Sequence, residues 1–372
     1  MRIGIDAKWY HSGPPSGVNV VRNVVNSLII ANTEHKLFVF LNREDKNLNY
    51  QDEIFQNNNV TCIYIPRKIN FITNLLFFPL YFFKYKLDVV LFQNFVPFYK
   101  LGKTQYIGYI HDFLFLDYPQ YFSLTERTIY SFIKTSVKTS DHVITISDSE
   151  RKRIVKHTKI SYDSISYVYH GVDKKFYERS VEKKLNIIAK YKLPEKYILY
   201  VGRINIRKNI KTLLESFSQI NDKEIALVIV GKKEHNEINF LHATSELNIE
   251  ERVFIIGHIP DDDLVEMYSA AKIFVFPSFA EGFGLPPLEA IKSGVPSIVS
   301  DINSLVEVCG DSVLYFNPAD VSELKDKINL LLENELLYND LKQKGTKRAK
   351  KFVWQNSAKE LLKIIVNSTN KK

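Results

Sequence analysis

The stretch Ile273-Phe-Val-Phe-Pro-Ser-Phe-Ala-Glu-Gly-Phe-Gly-Leu-Pro-Pro-Leu-Glu289 indicates the fold, because it contains a strand pattern, a glycine turn and a helix start in succession. Its first four residues are an apolar run of strand length. The prolines at 286 and 287 suit the first turn of a helix, which continues through Lys292. Gly282 and Gly284 let backbone N–H groups approach a ligand, and a helix N-terminus attracts anions. The stretch therefore predicts a strand–turn–helix unit suited to a diphosphate.

Two carboxylates flank this turn, at Glu281 and Glu289. Glu281 lies in the loop, where its side chain can face a ligand, whereas Glu289 lies about one turn into the helix. We therefore expect the two carboxylates to have separate roles. The alternative is an ordinary capped turn with solvated glutamates, but the glycines and prolines between them favour a binding site.

A second motif, Gly202-Arg-Ile-Asn-Ile-Arg-Lys-Asn209, follows the predicted strand at residues 197–201. Open α/β sheets bind ligands at the carboxyl ends of their strands. Arg203 offers a planar fork and Lys208 a point charge, and both suit the same phosphate groups. Basic residues at a helix start oppose the helix dipole, so the alternative of a purely structural role is unattractive unless an anion lies nearby.

Apolar runs alternate with amphipathic segments along the whole chain, which is typical of parallel sheets covered by helices. Strands are predicted at residues 2–6, 37–41, 60–65, 88–92, 105–110, 142–146, 165–169, 197–201, 225–230, 252–256, 273–276, 297–299 and 313–316. Helices are predicted at 17–31, 71–85, 122–140, 148–158, 208–220, 236–247, 261–270, 285–293, 320–333, 335–350 and 354–368. A charged stretch near residues 174–196 separates two α/β units. We expect domains at 1–178 and 179–350, and a closing helix at 351–372 that packs back towards the first domain.

The composition is that of a globular protein, with 372 residues, 45% hydrophobic and 25% charged. Cys62 and Cys309 are the two cysteines, which excludes a disulfide framework and a cysteine zinc site and fits the reducing cytosol. The start of the chain lacks the apolar core of a signal peptide. The longest apolar stretch, at residues 71–83, is too short to span a bilayer. We therefore expect a cytoplasmic protein.

The net charge of +8 belongs to the first half, because residues 1–180 hold 23 Lys/Arg against 16 Asp/Glu. Basic residues flank a run of aromatic side chains between residues 77 and 83. This pattern suits peripheral contact with an anionic membrane, at the inner face of the cell membrane. The alternative is a core helix with basic ends. The basic residues concerned are Arg67, Lys68, Lys84, Lys86, Lys100 and Lys103.

Together these motifs resemble the retaining glycosyltransferases of the GT-B class, in particular glycosyltransferase family 4 and its bacterial mannosyltransferases. Further similarities are His170-Gly-Val-Asp173, Ile144-Thr-Ile-Ser147, Phe352-Val-Trp354 and the pair His111-Asp112. The resemblance covers nearly the whole chain and is most specific at residues 197–300. It implies a GT-B fold, in which two Rossmann-like doubly wound domains face a cleft.

The resemblance also implies roles for individual residues. Glu281 would bind donor-sugar hydroxyls, Glu289 the nucleotide ribose, and His111 would reach the transferring sugar from the first domain. Arg203 and Lys208 would neutralise the diphosphate. The backbone amides of Phe283, Gly284 and Leu285 would contact the donor, and so would Gly17, at the start of the first helix. The loop at residues 13–17 departs from the family pattern through its two prolines, and His111 could instead be an ordinary strand-end histidine.

The implied reaction moves a hexosyl group from a GDP-mannose-like or UDP-sugar donor to a hydroxyl of a lipid-linked or cell-surface polysaccharide. No cofactor and no metal are expected, because Asp261, Asp262 and Asp263 suit a helix N-cap and first turn better than a metal site. Three alternatives remain: a nucleotide-sugar epimerase of the same architecture, a nucleic-acid-binding protein, and an inactive partner-stabilising homologue. Nucleic acid is not expected as a partner, since no pattern typical of RNA- or DNA-binding modules occurs.

Overall fold

The computed structural model describes residues 1–50, 52–66, 72–74, 78–100, 102–232 and 240–369, without the side chains of residues 49, 50, 240 and 241. The chain forms two compact units, one of Met1–Gly171 with Val353–Lys372 and the other of Val172–Phe352. It therefore changes units after residues 171 and 352, and not after the predicted 178 and 350. Phe176 explains the first difference, because it is buried against Tyr268 of the second unit, with ring centroids 5.6 Å apart.

The first unit contains a parallel sheet in the order β3-β2-β1-β4-β5-β6-β7. β4 and β5 are buried at every position. Strands buried on both faces are continuous apolar runs, which is why the sequence located them within a residue or two. The strands are β1 (Arg2–Asp6), β2 (Lys36–Asn42), β3 (Val60–Ile65), β4 (Val89–Gln93), β5 (Gln105–Ile110), β6 (His142–Thr145) and β7 (Ile165–Tyr167).

The predicted helices of the first half have counterparts with shifted ends, and two short helices, at Lys46–Tyr50 and Leu114–Asp117, were not predicted. α1 begins at Pro15, so Gly17 lies inside its first turn and does not open it. α5 begins with a capping box, in which Ser123 and Glu126 each accept the other's backbone N–H. The predicted helix at 71–85 is present from Phe78, and residues 71 and 75–77 lie outside the described residues. The helices are α1 (Pro15–Ala31), α2 (Lys46–Tyr50), α3 (Phe78–Tyr85), α4 (Leu114–Asp117), α5 (Leu124–Thr139) and α6 (Asp148–Thr158).

The second unit contains a parallel sheet in the order β10-β9-β8-β11-β12-β13. Its strands are β8 (Tyr197–Val201), β9 (Ala226–Val230), β10 (Val253–Gly257), β11 (Ile273–Phe276), β12 (Ser297–Ser300) and β13 (Leu314–Phe316). Both units thus have the strand order of a doubly wound, Rossmann-like sheet. The predicted fold class is confirmed.

Two helices of the second unit lie outside the predicted helices. α7 lies in the charged, helix-prone stretch near residues 174–196 that separates the two units in the prediction, and α12 is a short helix after β12. The helices are α7 (Val181–Tyr191), α8 (Ile210–Ser218), α9 (Phe240–Glu246), α10 (Asp261–Ala270), α11 (Leu285–Lys292), α12 (Asn303–Cys309), α13 (Val321–Glu333) and α14 (Glu335–Ala349). The closing helix α15 (Trp354–Thr369) belongs to the first unit and packs against α1.

The strand order reverses between β1 and β4 in the first sheet, and between β8 and β11 in the second. Ligands of open α/β sheets bind at such a reversal, beside the carboxyl ends of the strands. In the second sheet, β8 and β11 lead directly into the two motifs that the sequence analysis identified. In the first sheet, β4 ends at Gln93 and β5 ends one residue before His111.

Within the part of the chain that the structure describes, none of the helices combines the length and the apolar character needed to cross a lipid bilayer.

Candidate active site

The loop after β8 is folded tightly onto the loop after β11. A short 3-10 turn, Ile206–Lys208, is closed by Asn209 in the left-handed conformation, with φ 57°. The side-chain amide of Asn209 donates to the carbonyls of Pro277 (3.0 Å) and Pro318 (2.7 Å). Because of this turn, the consecutive residues Arg207 and Lys208 are both buried.

An ionic cluster joins the two loops. Lys208 Nζ lies 2.5 Å from Glu281 Oε1, and Arg207 contacts Glu281 Oε2 at 3.2 Å. Arg207 also donates to the carbonyl of Ala280 at 2.5 Å. The three side chains are about one tenth exposed. The structure therefore brings the predicted Lys208 and Glu281 together and adds Arg207, to which the sequence analysis gave no role.

The opposite charges in this cluster stabilise each other's ionised form. Burial by itself raises the pKa of Glu281, but Lys208 and Arg207 outweigh it and lower that pKa to about 2. Burial lowers the pKa of Lys208 to about 8, although Glu281 opposes this change. At neutral pH the lysine is therefore mostly protonated and the carboxylate fully ionised.

Arg203 lies at the exposed edge of the same loop. Its charge is close enough to contribute to the lowered pKa of Lys208. Two buried cations, Arg207 and Lys208, thus pair with the single carboxylate of Glu281, and Arg203 adds a third positive charge beside Lys208. An excess of buried positive charge at the carboxyl edge of a sheet is an anion-binding arrangement.

The glycine turn has the geometry that its sequence predicts. Gly284 has φ 110°, and a Cβ atom at this position would lie 2.5 Å from Leu305 Cδ2. α11 begins at the next residue, with Pro286 and Pro287 in its first turn. Ser304 Oγ donates to the carbonyl of Glu281 at 2.8 Å, which fixes the loop on its other side. The predicted amides of Phe283, Gly284 and Leu285 therefore lie at a helix N-terminus.

Glu289 is buried inside α11, separate from the ionic cluster. Tyr268 donates its hydroxyl to Glu289 Oε2 at 2.9 Å. Burial raises the pKa of Glu289 to about 7, and the hydrogen bond from Tyr268 limits the rise. The two glutamates of the motif thus differ widely in pKa, as their different surroundings require.

His111 belongs to the first unit, at the carboxyl edge of its own sheet. Its Nε2 is 2.7 Å from Gln93 Oε1, and its ring packs 4.8 Å from that of Tyr109. A second histidine, His170, lies 6.0 Å away between ring centroids and packs in turn against Trp354 at 5.4 Å. Burial lowers the pKa of His111 to about 4, so the ring is neutral at physiological pH.

The side chain of Trp9 accounts for two glycines after β1, Gly13 in the loop and Gly17 in the first turn of α1. A Cβ atom at Gly17 would lie 2.8 Å from Trp9 Cε3, and one at Gly13 would lie 2.9 Å from Trp9 Cδ1. Packing against the indole therefore explains why residue 17 is a glycine, independently of the ligand contact that the family resemblance implied.

Asp261 and Asp263, at the start of α10, make ion pairs within the second unit. Asp261 pairs with Lys175 at 3.0 Å and Asp263 with Lys190 at 2.7 Å. The N-cap is Pro260, so the aspartates occupy the first turn and, contrary to our expectation, do not cap the helix. Among the described residues, no group of three or more His, Cys, Asp or Glu side chains could hold a metal ion.

Two family models match the chain. One, described as Glycosyl transferases group 1, matches residues 183–348, and the other, described as Glycosyltransferase Family 4, matches residues 17–176. The serotype-specific mannosyltransferase WbdA of Escherichia coli is 32% identical over 240 residues, which are 62% of this chain and 29% of that protein. The O-antigen chain mannosyltransferase B of Escherichia coli is 30% identical over 251 residues, which are 66% of each chain.

Solved structures show the same fold. A sucrose-phosphate synthase from Thermosynechococcus elongatus superposes with a TM-score of 0.80 at 22% identity, over the full length of both chains. The Anabaena protein Alr3699/HepE, in complex with UDP and glucose, gives a TM-score of 0.75 at 15% identity, over 99% of this chain and 100% of that one. The two family models match the main parts of the two parallel-sheet units, and a glycosyltransferase structure superposes over the full length of the chain. The chain therefore has the GT-B fold and belongs to the glycosyltransferases of family 4.

Proposed function

We propose that this protein is a retaining glycosyltransferase that moves a hexosyl group from a nucleoside-diphosphate sugar to a hydroxyl of a lipid-linked or cell-surface polysaccharide. The observation that carries the proposal is the pairing of Arg207 and Lys208 with Glu281, with the charge of Arg203 beside Lys208. Its excess positive charge matches a diphosphate, and the N-terminus of α11 follows Glu281 in the same loop.

The donor is proposed to be GDP-mannose-like, with a UDP-sugar as the alternative. Relatives named mannosyltransferases, two of them with O-antigen chains in their names, support a mannosyl donor. A structural neighbour in complex with UDP supports binding of a nucleoside diphosphate by this fold. The acceptor is proposed from the same names, as a growing polysaccharide.

The chemistry of the cluster suits departure of a nucleoside diphosphate. As the bond to the sugar breaks, negative charge develops on the leaving phosphate, and fixed cations stabilise it without reorganisation. The carboxylate of Glu281 is held by two cations with a pKa of about 2, so it is a poor base for the acceptor hydroxyl. This supports a reaction in which the departing phosphate accepts the proton of the acceptor hydroxyl. Both groups then lie on the same face of the sugar, so the configuration of the anomeric carbon is retained.

We also propose that transfer needs no metal ion. Lys208 and its neighbouring arginines supply the positive charge that Mg²⁺ or Mn²⁺ supplies to a diphosphate in metal-dependent enzymes. Asp261 and Asp263 are engaged in ion pairs with lysines. Activity in EDTA should therefore equal activity in buffer, and a loss that Mn²⁺ restores would refute metal independence.

The test is an assay of transfer and hydrolysis across GDP-, UDP- and dTDP-sugars, with and without a polysaccharide acceptor. We expect one donor class to be used and Lys208→Ala to lower turnover at least about a hundredfold. Lys211→Ala is the matched control, since Lys211 is exposed on α8 and pairs with Glu215. Equal rates for Lys208→Ala and the control would refute the assignment. Conversion of the sugar nucleotide into an epimer, with the nucleotide still attached and without an acceptor, would indicate an epimerase.

We further propose that the first unit contacts an anionic membrane at the inner face of the cell membrane, through Leu80 and Phe83 on α3. These side chains are 68% and 64% exposed, and Lys84 and Lys86 follow them in sequence. The aromatic run itself is divided: Phe78 and Phe82 belong to the core, as our alternative of a core helix predicts. Of the other basic residues, Lys100 pairs with Asp141, and Arg67 and Lys68 lie outside the described residues.

Sedimentation with phosphatidylglycerol vesicles tests this surface. The double variant Leu80→Ser, Phe83→Ser should bind vesicles at least about tenfold more weakly than the unaltered protein, because it removes two large apolar side chains. Leu336→Ser is the matched control, since Leu336 is 85% exposed and lies in the second unit. Equal vesicle binding by both variants would refute the contact.

A further inference from the structure

Gln93 ends β4 and lies beside the strand that leads to His111. In the parallel register of β4 and β5, Gln93 is paired with Tyr109, two residues before the histidine. Gln93 is 7% exposed, whereas His111 is only partly buried. The amide oxygen of Gln93 lies 2.7 Å from His111 Nε2. A buried amide thus contacts a histidine that is itself partly exposed.

The chemistry of the two atoms determines the position of the proton. An amide oxygen has lone pairs and no hydrogen, so it can only accept. The neutral ring of His111 must therefore carry its proton on Nε2, and Nδ1 keeps its lone pair. The second nitrogen of a histidine is commonly fixed in this way by the hydrogen bond of the first.

The neighbouring residue fixes the backbone of the histidine. Asn94 Oδ1 accepts the backbone N–H of His111 at 2.9 Å. Asn94 itself has φ 60°, a left-handed conformation, and donates its backbone N–H to the carbonyl of Tyr109 at 3.0 Å. Gln93, the last residue of β4, thus contacts the ring of His111, and Asn94, the next residue, binds its main chain.

The side chain of Gln93 has little other polar function in the fold. Its amide nitrogen has no hydrogen-bond partner among the residues that the structure describes. An unpaired buried donor destabilises a fold, so an apolar side chain would fill this space with less loss of stability. We therefore attribute the presence of a glutamine at position 93 to its contact with His111.

We propose that Gln93 is a positioning residue that holds His111 in the Nε2–H tautomer, so that Nδ1 accepts a hydrogen bond from a hydroxyl of the substrate sugar. This inference rests on the proposed function, in which His111 takes part in sugar transfer. Gln93 acts through His111 and not on the substrate itself.

Nitrogen-15 NMR of the protein with labelled histidine tests the tautomer directly. In the unaltered protein we expect the His111 ring to show a protonated Nε2 and an unprotonated Nδ1, with the signal assigned by its absence from His111→Ala. In Gln93→Met, which keeps the length and removes the acceptor, this tautomer should no longer dominate. Gln105→Met is the matched control, since Gln105 is a buried glutamine at the opposite end of β5.

Kinetics separate positioning from folding. Gln93→Met should lower kcat about tenfold or more with little change in donor KM, which is the scale of loss when a partner that orients a histidine is removed. In the His111→Ala background the same substitution should change kcat less than twofold. Where Gln93→Met fails to fold, Gln93→Asn keeps the amide but is one methylene too short for the contact.

The outcomes distinguish the two levels of the proposal. Full activity of His111→Ala would refute the role of His111 in transfer. A lowered kcat of His111→Ala together with an unchanged tautomer in Gln93→Met would refute the positioning role of Gln93 alone. An equal loss from Gln93→Met in both backgrounds would show that Gln93 acts independently of His111 and would likewise overturn the inference.

Discussion

Lys208 and Glu281 depend on each other for their charge. The pKa of Lys208 is about 8, because burial and the nearby arginines Arg203 and Arg207 lower it while Glu281 raises it. The lysine is charged below this pKa and neutral above it. The protonated fraction at the working pH is therefore set largely by one neighbouring carboxylate.

We predict that Glu281→Gln moves the alkaline limb of the pH–activity profile to lower pH. Without the carboxylate the pKa of Lys208 falls below 8, so the stabilising charge is lost at a pH where the unaltered enzyme retains it. The profile of kcat/KM for the donor measures this limb. An unchanged alkaline limb in an active Glu281→Gln would show that Lys208 does not control the rate.

The buried carboxyl of Glu289 lowers the stability of the folded protein at a pH where this group is ionised. Its pKa is about 7 in the folded protein and higher than in the unfolded chain, so the folded state holds the proton more tightly. The stability contributed by the protonated form is complete below the unfolded pKa and is lost as the pH rises towards 7.

We predict that Glu289→Gln is more stable than the unaltered protein at pH 8, by roughly 3 kcal/mol at most, and similar to it at pH 4. The same substitution should raise donor KM, since an amide cannot accept ribose hydroxyls on both atoms. Urea unfolding at the two pH values measures the first effect. Glu251→Gln, at an exposed glutamate, is the control and should show no such difference.

At the scale of elements, the turn between β11 and α11 determines where the amides of the motif lie. Gly284 combines φ 110° with contact to Leu305, so both the backbone conformation and the available space exclude a side chain. We predict that Gly284→Ala lowers the free energy of unfolding by about 1–3 kcal/mol and weakens nucleoside-diphosphate binding. Calorimetry of GDP or UDP binding, with thermal melts, measures both.

The control is a comparison of Gly284→Ala, Leu305→Ala with Leu305→Ala alone, because truncating the buried Leu305 itself costs about 2–5 kcal/mol. In the Leu305→Ala background the clash is relieved and the backbone strain remains, so adding Gly284→Ala should cost less stability than it does in the unaltered protein, but still some. No cost of Gly284→Ala in that background would show that space, and not the conformation of residue 284, determines the turn.

The elements themselves could largely be predicted from the sequence, for a physical reason. Strands such as β4 and β8 are buried at every position, so they appear as uninterrupted apolar runs. α7 was not predicted as a separate helix because it lies in a charged stretch and buries a single residue, Ile187. α12 was missed because two turns are too short for a clear helical period.

The position of the candidate site was predictable to a similar degree. The strand ends and glycines pointed to Lys208, Glu281 and Glu289, whose roles stay predictions, and the sequence analysis gave Arg207 no role. Two adjacent residues normally point in different directions, and only the 3-10 turn at Ile206–Lys208 buries both. Gln93 carried no signal at all, because its role depends on the register of β4 with β5.

At the scale of the whole molecule, each family model matches the main part of one unit, and each unit carries its own polar edge. The ionic cluster is contained in Val172–Phe352, and His111 with Gln93 in Met1–Gly171. Substitutions in one cluster are therefore expected to leave the fold of the other unit intact. This independence makes the kinetic comparisons proposed above interpretable.

The location of the tryptophans provides a natural optical label. The sequence contains two, Trp9 and Trp354, and both belong to the first unit. Indole fluorescence therefore reports on that unit, whereas circular dichroism reports on helices of both. We predict that a bound nucleoside diphosphate raises the midpoint of thermal unfolding seen by circular dichroism and leaves the indole midpoint unchanged, since a ligand stabilises the unit that binds it. An equal shift in both signals would mean that the two units melt together, and the indoles would then serve as a fluorescent readout of donor binding.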